Sequence, residues 1–102
     1  MGIDTFIEFE DGEPKGDVLD PDDLTAQLLD SVTASTSCCL CFIDRYGDTT
    51  FNQLQIPVLI EELQQATNQA SDPKVKSHGQ ALLALALRAR SEIHTYVKFY
   101  GD

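Results

Sequence analysis

The residue types most capable of chemistry are concentrated between positions 38 and 48 of this 102-residue chain. The stretch holds all three cysteines and a group of charged and aromatic side chains: Cys38, Cys39, Cys41, Asp44, Arg45, Tyr46 and Asp48. Thiolates can bind soft metals or act as nucleophiles, and neighbouring carboxylates can exchange protons with a substrate. The stretch is therefore the first candidate for a functional site.

The cysteines are predicted to be reduced thiols that pack in the core. Residues 38–43 are apolar on both faces, which is typical of a central strand. On such a strand Cys39 and Cys41 point to the same side about 7 Å apart, too far for a disulfide. Zinc would need further ligands, and a buried thiol is a poor nucleophile because burial raises its pKa. We expect neither a metal site nor a catalytic cysteine.

The histidines do not supply the missing groups. His78 and His94 are predicted to lie on one long helix, about 24 Å apart at a rise of about 1.5 Å per residue, so they cannot bind one ion together. The chain also lacks a nucleophile motif and a phosphate-binding glycine loop. The sequence therefore predicts no catalytic residue, no cofactor and no enzyme activity.

The polar residues at positions 44–48 are predicted to form a tight turn, with Gly47 at a positive φ. Asp44 and Asp48 could form a carboxylate pair, but we expect Asp44 to accept backbone N–H groups and Asp48 to face water. Two interpretations stay open for Arg45 and Tyr46. They could form a contact surface, since both types are enriched in binding hot spots. Alternatively, Tyr46 lies over the hairpin and Arg45 neutralises nearby acids.

Residues 10–20 are predicted to form an acidic loop. Three acidic residues of this loop and one that follows it have spacings loosely similar to those of a calcium-binding loop: Asp11, Glu13, Asp17 and Asp22. Lys15 stands where an oxygen ligand is required, and Asp22 replaces the bidentate glutamate. Solvated surface charge is therefore the preferred interpretation, and a cation site is the alternative.

Apolar periodicity predicts an α+β fold in the order β-α-β-β-α-α, as a single domain over residues 1–102. The sheet has three strands, or four if a weak arm folds back as a hairpin, and the proposed positions are 3–9, 16–19, 38–43 and 49–52. In the first strand, Phe6 is the one apolar side chain on an otherwise polar face. Helices are predicted to begin at Pro21, Pro57 and Pro73, and the first to end in the connector 33–37.

The third helix is predicted to extend over residues 75–100, because apolar residues recur there at spacings of four and three. Three positions of this stripe are small, namely Gly79, Ala86 and Ala89, so another backbone can approach closely. Packing against the second helix as an αα-hairpin over 56–100 is the preferred interpretation. A homodimer through the same stripe is the alternative.

The charge balance restricts the partners. Seventeen acidic and seven basic residues give a formal net charge of −10. This charge disfavours nucleic acids and anionic membrane surfaces, and it favours a basic protein partner. The N-terminus lacks the basic region of a secretory signal, and the longest apolar run, 81–87, is far shorter than the roughly 20 residues of a membrane span. We therefore expect a cytoplasmic protein.

One resemblance is carried by residues 42–52, which read F-I-D-R-Y-G-D-T-T-F-N. Together with segments 59–63 and 96–102, they resemble a group of small, uncharacterised bacterial proteins. The resemblance implies a similar architecture and a bacterial origin, and it implies no activity and no catalytic residue.

The sequence thus predicts a non-catalytic, acidic protein-binding module of the immunity-protein or inhibitor type. It would cover a basic surface of its partner through Asp44, Arg45, Tyr46 and Asp48. Two alternatives stay open: a structural homo-oligomer formed through helix 75–100, and a small cation-binding protein or enzyme that uses the acidic loop or the two carboxylates of the turn.

Overall fold

The computed structural model describes residues 2–30, 32 and 38–101. Within them lie four strands, three α-helices and one short 3-10 helix at Leu40–Phe42. The strands are β1 (Asp4–Phe9), β2 (Pro14–Val18), β3 (Asp48–Phe51) and β4 (Thr95–Tyr100), and the helices are α1 (Leu24–Asp30), α2 (Ile56–Gln69) and α3 (Pro73–Arg90). The α+β class is confirmed, but the chain order differs from the predicted one. The predicted connector 33–37 lies outside the described residues.

The four strands form one antiparallel sheet in the order β2-β1-β4-β3. Its centre is the β1–β4 pair, in which Asp4 lies opposite Tyr100 and Phe9 lies opposite Thr95. Burial alternates along β4, so one face of the sheet packs against the helices and the other is not covered by them. The hairpin arm expected near 16–19 is present as β2, so it replaces the second half of the predicted acidic loop.

The prediction that the third helix extends to residue 100 is wrong, because α3 ends at Arg90 and residues 95–100 form β4. His94 adopts a positive φ of 65°, which turns the chain out of the helix. The Thr95 hydroxyl donates to the carbonyls of Ala89 and Glu92, and the Gln53 amide donates to the same two carbonyls. These bonds satisfy the helix end from outside the helix. The apolar spacing of four and three into residues 96–100 was coincidental.

The predicted central strand over 38–43 is also wrong. The segment forms a bend followed by the 3-10 helix, and we call residues 38–43 the cysteine turn. Three of its backbone N–H groups donate to the carboxylate of Glu62 in α2 rather than to a neighbouring strand. The 44–48 turn therefore connects a 3-10 helix to β3, and β3 pairs with β4 instead of with residues 38–43.

Glycine is required at two turns of the chain, for two different reasons. Gly12, in the β1–β2 hairpin, adopts a positive φ of 86°. Gly47 does not adopt a positive φ, which contradicts the prediction. A Cβ atom at Gly47 would instead lie 2.7 Å from Oδ2 of Asp44, so the position needs glycine because a carboxylate lies against its backbone.

Helix α3 lies at the centre of the core and contacts α1, α2, β1, β2 and β4. The small residues Gly79, Ala86 and Ala89 are all buried inside this arrangement. Gly79 lies against Thr67 of α2, so its lack of a side chain allows the two helices to approach. The small stripe is therefore used for packing within the chain, and it is not exposed to a second copy.

The Gly79 contact can be tested by replacing Gly79 with alanine. A new Cβ would overlap the Thr67 side chain, so we expect G79A to lower the free energy of unfolding by about 1–3 kcal/mol in urea titrations, although alanine favours helix. The double variant G79A/T67A should recover much of the loss. Exposed Gln80→Ala is the control and should be near neutral. A G79A protein as stable as the original would contradict the close approach.

Candidate functional site

The 44–48 turn is shaped by Asp44, as expected. Its Oδ1 accepts the N–H of Tyr46 at 2.9 Å, and its own N–H donates to Oγ1 of Thr49 at 2.8 Å. Asp48 is exposed at the start of β3. The carboxylate of Asp44 therefore has a structural role in the turn, and the geometry favours this interpretation over a proton-exchanging pair with Asp48.

The structure favours a different interpretation for each of Arg45 and Tyr46: the arginine pairs with an acid, and the tyrosine is exposed. Nη1 of Arg45 lies 2.8 Å from Oδ1 of Asp30, at the end of α1, so the arginine does neutralise an acid. Both groups are solvent-accessible, and such pairs contribute little to stability. Tyr46 does not lie over the protein surface, because it is 84% exposed. A tyrosine this exposed is available to a partner.

The turn is held against the end of the sheet. The N–H of Gly101 donates to the carbonyl of Gly47 at 2.7 Å, and a Cβ atom at Gly101 would meet the backbone of Arg45. In the next register position, Asp48 lies directly opposite Tyr100 of β4. The 44–48 turn therefore lies at the end of β4, one of the strands that form the uncovered face of the sheet.

We call that uncovered face the open sheet face. Its members, identified from strand register and alternation, are Asp4, Phe6, Glu8, Asp17, Asp48, Thr50, Tyr96, Lys98 and Tyr100. At its centre, the rings of Phe6 and Tyr100 meet edge to face with centroids 5.3 Å apart. The Tyr100 hydroxyl donates to Glu8, and Nζ of Lys98 lies 4.9 Å from the centroid of Tyr100. Phe6, the one apolar side chain on the polar face of β1, is thus part of an aromatic cluster.

The charge states of this cluster follow from its contacts. Burial raises the pKa of Tyr100, and the bond to Glu8 raises it further, so the phenol stays protonated at neutral pH. Interaction with Tyr100 raises the pKa of Lys98, so the ammonium stays charged. The open sheet face therefore holds four carboxylates, one ammonium and three aromatic rings, and one of the carboxylates, that of Glu8, is buried and bonded to Tyr100.

The sequence missed Tyr96, Lys98 and Tyr100 as surface partners because it assigned them to a helix. The signal that could have found them is the alternation of residues 95–100, Thr-Tyr-Val-Lys-Phe-Tyr, which is rich in strand-forming types. That pattern competes with the helical spacing upstream. Only the contacts beyond the end of α3 decide between the two.

The cysteine turn corrects the prediction that the cysteines pack in the core. Cys39 is buried, but Cys38 and Cys41 are exposed. Burial and then the charge of Glu62 raise the pKa of the Cys39 thiol to about 11. The carboxylate of Glu62 accepts the N–H groups of Cys38 at 2.7 Å, Cys39 at 3.0 Å and Leu40 at 3.0 Å. One carboxylate thus fixes the backbone of the turn on α2.

The Glu62 contact predicts a difference between two neighbouring acids of α2. Replacing Glu62 with alanine leaves three backbone donors without this acceptor, so we expect E62A to lower the free energy of unfolding by about 2–3 kcal/mol. E61A removes the same charge from an exposed site and should change it by less than about 0.5 kcal/mol. Urea titration measures both. Equal effects would contradict the role of Glu62.

The thiols should also differ in reactivity. With a pKa of about 11, only about 0.1% of Cys39 is thiolate at pH 8, and the side chain is buried. We expect iodoacetamide at pH 8 to modify Cys38 and Cys41 in the folded protein and Cys39 only after unfolding. Peptide mass spectrometry identifies the modified sites. Modification of Cys39 at the rate of the other two would contradict this placement.

A second polar cluster lies inside the fold, around Asp20. Its buried carboxylate accepts the N–H groups of Ile3 at 3.1 Å, Leu24 at 2.7 Å and Thr25 at 3.1 Å, so it caps the start of α1 and fixes the chain before β1. Oγ1 of Thr25 lies 2.7 Å from Nε2 of His78. The sequence predicted Asp20 as the cap of a helix that begins at Pro21, but α1 begins at Leu24, because Asp23 adopts a positive φ of 59° that a right-handed helix excludes. The partner on α3, which is 53 residues away, was not predicted.

His78 lines an open groove of about 560 Å³ between the end of β2 and the start of α3. Its walls are mostly apolar, with Lys74, Ser77 and Asp22 as further polar groups. Oγ1 of Thr25 and Oδ1 of Asp20 both lie on the Nε2 side of His78, at 2.7 Å and 3.7 Å from that nitrogen. This arrangement differs from a nucleophile–histidine–carboxylate triad, in which the carboxylate and the nucleophile bind opposite ring nitrogens.

The acidic loop and the histidines are arranged differently from what a metal site requires. Among residues 2–30, 32 and 38–101, no three His, Cys, Asp or Glu side chains lie close enough together to hold a metal ion. In the predicted loop, Asp11 instead accepts the N–H of Glu13 at 3.0 Å. His94 is not on α3 with His78, which corrects the prediction, and its Nδ1 lies 3.1 Å from Oε1 of Glu10.

Within the same described part of the chain, none of the helices combines the length and the apolar composition needed to cross a bilayer.

Comparison with known proteins does not assign the site. No protein-family model matches the chain, and neither a curated protein nor a solved structure is significantly similar to it. The resemblance of residues 42–52 to small bacterial proteins therefore stays a prediction. A function for this protein has to be argued from the geometry of its surfaces.

Proposed function

We propose that this chain is a non-catalytic binding protein that covers a basic surface of another protein. The contact would be made by the open sheet face together with the 44–48 turn. The observation that carries the proposal is the combination of carboxylates and aromatic rings on the face of the sheet that none of the described helices covers. The chain would act in the cytoplasm as an immunity protein or an inhibitor does, by covering a surface of its partner.

The distribution of charge supports a basic partner. Nine of the seventeen acidic residues lie within residues 4–23, where Lys15 is the only base. Helix α3, on the opposite side of the sheet, carries four of the seven basic residues and no acid. The acidic field is therefore concentrated on the strands and their connections. Such a field accelerates encounter with a basic surface and orients it, and the effect weakens as salt rises.

The aromatic side chains supply the short-range part of the contact. Tyr46 is 84% exposed in the 44–48 turn. Phe6, Tyr96 and Tyr100 are partly exposed on the open sheet face, and Tyr100 lies next to Gly101, whose N–H bonds to the turn. Aromatic rings combine a large contact area with few rotatable bonds, and their faces attract lysine and arginine side chains. Lys98 already occupies such a position over Tyr100. Lysine or arginine side chains of a partner could bind the neighbouring rings in the same way.

The other two functions suggested by the sequence have less support. The stripe of Gly79, Ala86 and Ala89 is buried within the chain, so a dimer through it would require the core to open. Asp44 and Asp11 bond to nearby backbone N–H groups, which leaves the turn and the acidic loop without a specific arrangement for a cation.

A titration with model peptides tests the proposal. We expect octalysine, followed by ¹H–¹⁵N NMR spectra at low salt, to shift the amides of residues 44–48, of β4 and of the open positions of β1. Octaglutamate should cause no such shifts, and about 0.5 M salt should reverse those of octalysine. Shifts confined to the hairpin tip at 10–13, or spread evenly over all acidic residues, would contradict the proposed surface.

Matched variants identify which groups matter. D48N should weaken octalysine binding by up to about fivefold, because one exposed ion pair contributes up to about 1 kcal/mol. E61Q removes the same charge from α2 and should leave binding unchanged. For the aromatic part, Y46A should weaken binding, whereas L87A, an exposed apolar truncation on α3, should not. Equal effects within either pair would contradict the location of the contact.

A further inference from the structure

The cysteine turn places two accessible thiols at the ends of a four-residue segment. Cys38 and Cys41 have the spacing C-x-x-C, and both are exposed. On the strand predicted from the sequence, residues three apart would point to opposite faces. In the structure Cys41 lies in the 3-10 helix, and Cys38 comes just before Cys39, the residue at which the helical dihedral angles begin, so the chain turns between the two thiols. The change from strand to turn therefore changes the relation between the two thiols.

The backbone of this segment is compatible with a disulfide. Cys39 has helical dihedral angles, φ −113° and ψ −51°, and the 3-10 helix begins at Leu40. The carbonyl of Cys39 accepts the N–H of Phe42 at 3.0 Å, which closes the following turn. Cys39 and Leu40, the two central residues of the segment 38–41, are both helical, so the Cα atoms of Cys38 and Cys41 are expected to lie within about 7 Å. Disulfides join Cα atoms about 4.4–6.8 Å apart.

The third cysteine is separated from this pair. Cys39 is 3% exposed, and its Sγ lies 3.8 Å from the carbonyl oxygen of Gln55. Its neutral form is favoured by burial and by the nearby charge of Glu62. An oxidant in solution therefore reaches two of the three thiols of this turn.

Glu62 anchors the first residues of the segment to α2. Its carboxylate bonds to the N–H groups of Cys38, Cys39 and Leu40, which bind the start of the turn to α2. Three of the four residues that a ring between Cys38 and Cys41 would contain are thus held in place by one carboxylate. A preorganised pair of this kind oxidises within one molecule more readily than between two molecules.

We propose that Cys38 and Cys41 form a redox-active dithiol that is oxidised to an intramolecular disulfide by a peroxide. In the first step, one thiolate attacks the peroxide O–O bond and becomes a sulfenic acid, while the other oxygen leaves as water or an alcohol. In the second step, the other thiol attacks the sulfenic sulfur, the S–S bond forms, and the sulfenic oxygen leaves as water. The two thiols lose two electrons and two protons, and the peroxide is reduced. A cellular thiol reverses the reaction by exchange. This inference is independent of the proposed partner surface.

The test uses the reduced full-length chain and hydrogen peroxide. We expect a loss of about 2 Da in the intact mass, with an oxidation rate that does not depend on protein concentration, as for an intramolecular disulfide. Peptide mapping should place the bond between Cys38 and Cys41 and leave one alkylatable thiol, Cys39, after unfolding. Dithiothreitol should restore the original mass.

Single serine variants separate this pairing from the others. C39S should still form the disulfide at about the original rate. C38S and C41S should lose it and proceed to sulfinic acid or to intermolecular dimers, while their circular dichroism and urea midpoints stay close to the original because both sites are exposed. A disulfide that involves Cys39, oxidation of the original protein to sulfinic acid without a disulfide, or disulfide formation only between molecules would overturn the proposal.

Discussion

The pairing of β1 with β4 is the interaction on which the rest of the structure depends. It joins residues 4–9 to residues 95–100, so the two ends of the described chain form the centre of the sheet. Every other element has to fold between these two strands, with the helices on one face and β2 and β3 at the edges. The pairing also creates the open sheet face, because it aligns Asp4, Phe6 and Glu8 beside the aromatic residues of β4.

Carboxylates support this arrangement by accepting backbone N–H groups in turns and at the starts of helices, where these groups lack a carbonyl partner within a strand or helix. Asp20 fixes the start of α1, Glu62 fixes the cysteine turn, Asp44 shapes the turn before β3, and Asp72 caps α3. Part of the strong negative charge of the chain is therefore structural. The exposed acids that make no such bond, such as Asp17 on β2 and Asp48 on β3, are the ones available to a partner, which is why total charge alone was a poor guide to the site.

The accessible chemistry of the molecule is divided between two neighbouring regions. The cysteine turn presents two thiols, and the 44–48 turn that follows it presents an exposed tyrosine at the edge of the open sheet face. Ile43 lies between them and is buried in the core. This buried residue anchors the chain between the two turns.

The sequence by itself determined the features whose causes are local. The alternation of β1, the proline starts of α2 and α3, the cap formed by Asp20 and the role of Asp44 were all predicted, because each depends on residues a few positions apart. Tertiary structure alone decided the end of α3, the strand β4 and the cysteine turn. Residues 95–100 and 38–43 are compatible with more than one backbone conformation, and the choice is made by Gln53 and Glu62, whose side chains bond to backbone groups far away in the chain. The open sheet face and the paired positions of Cys38 and Cys41 both follow from those distant bonds, which is the physical reason that the pattern of the sequence did not show them.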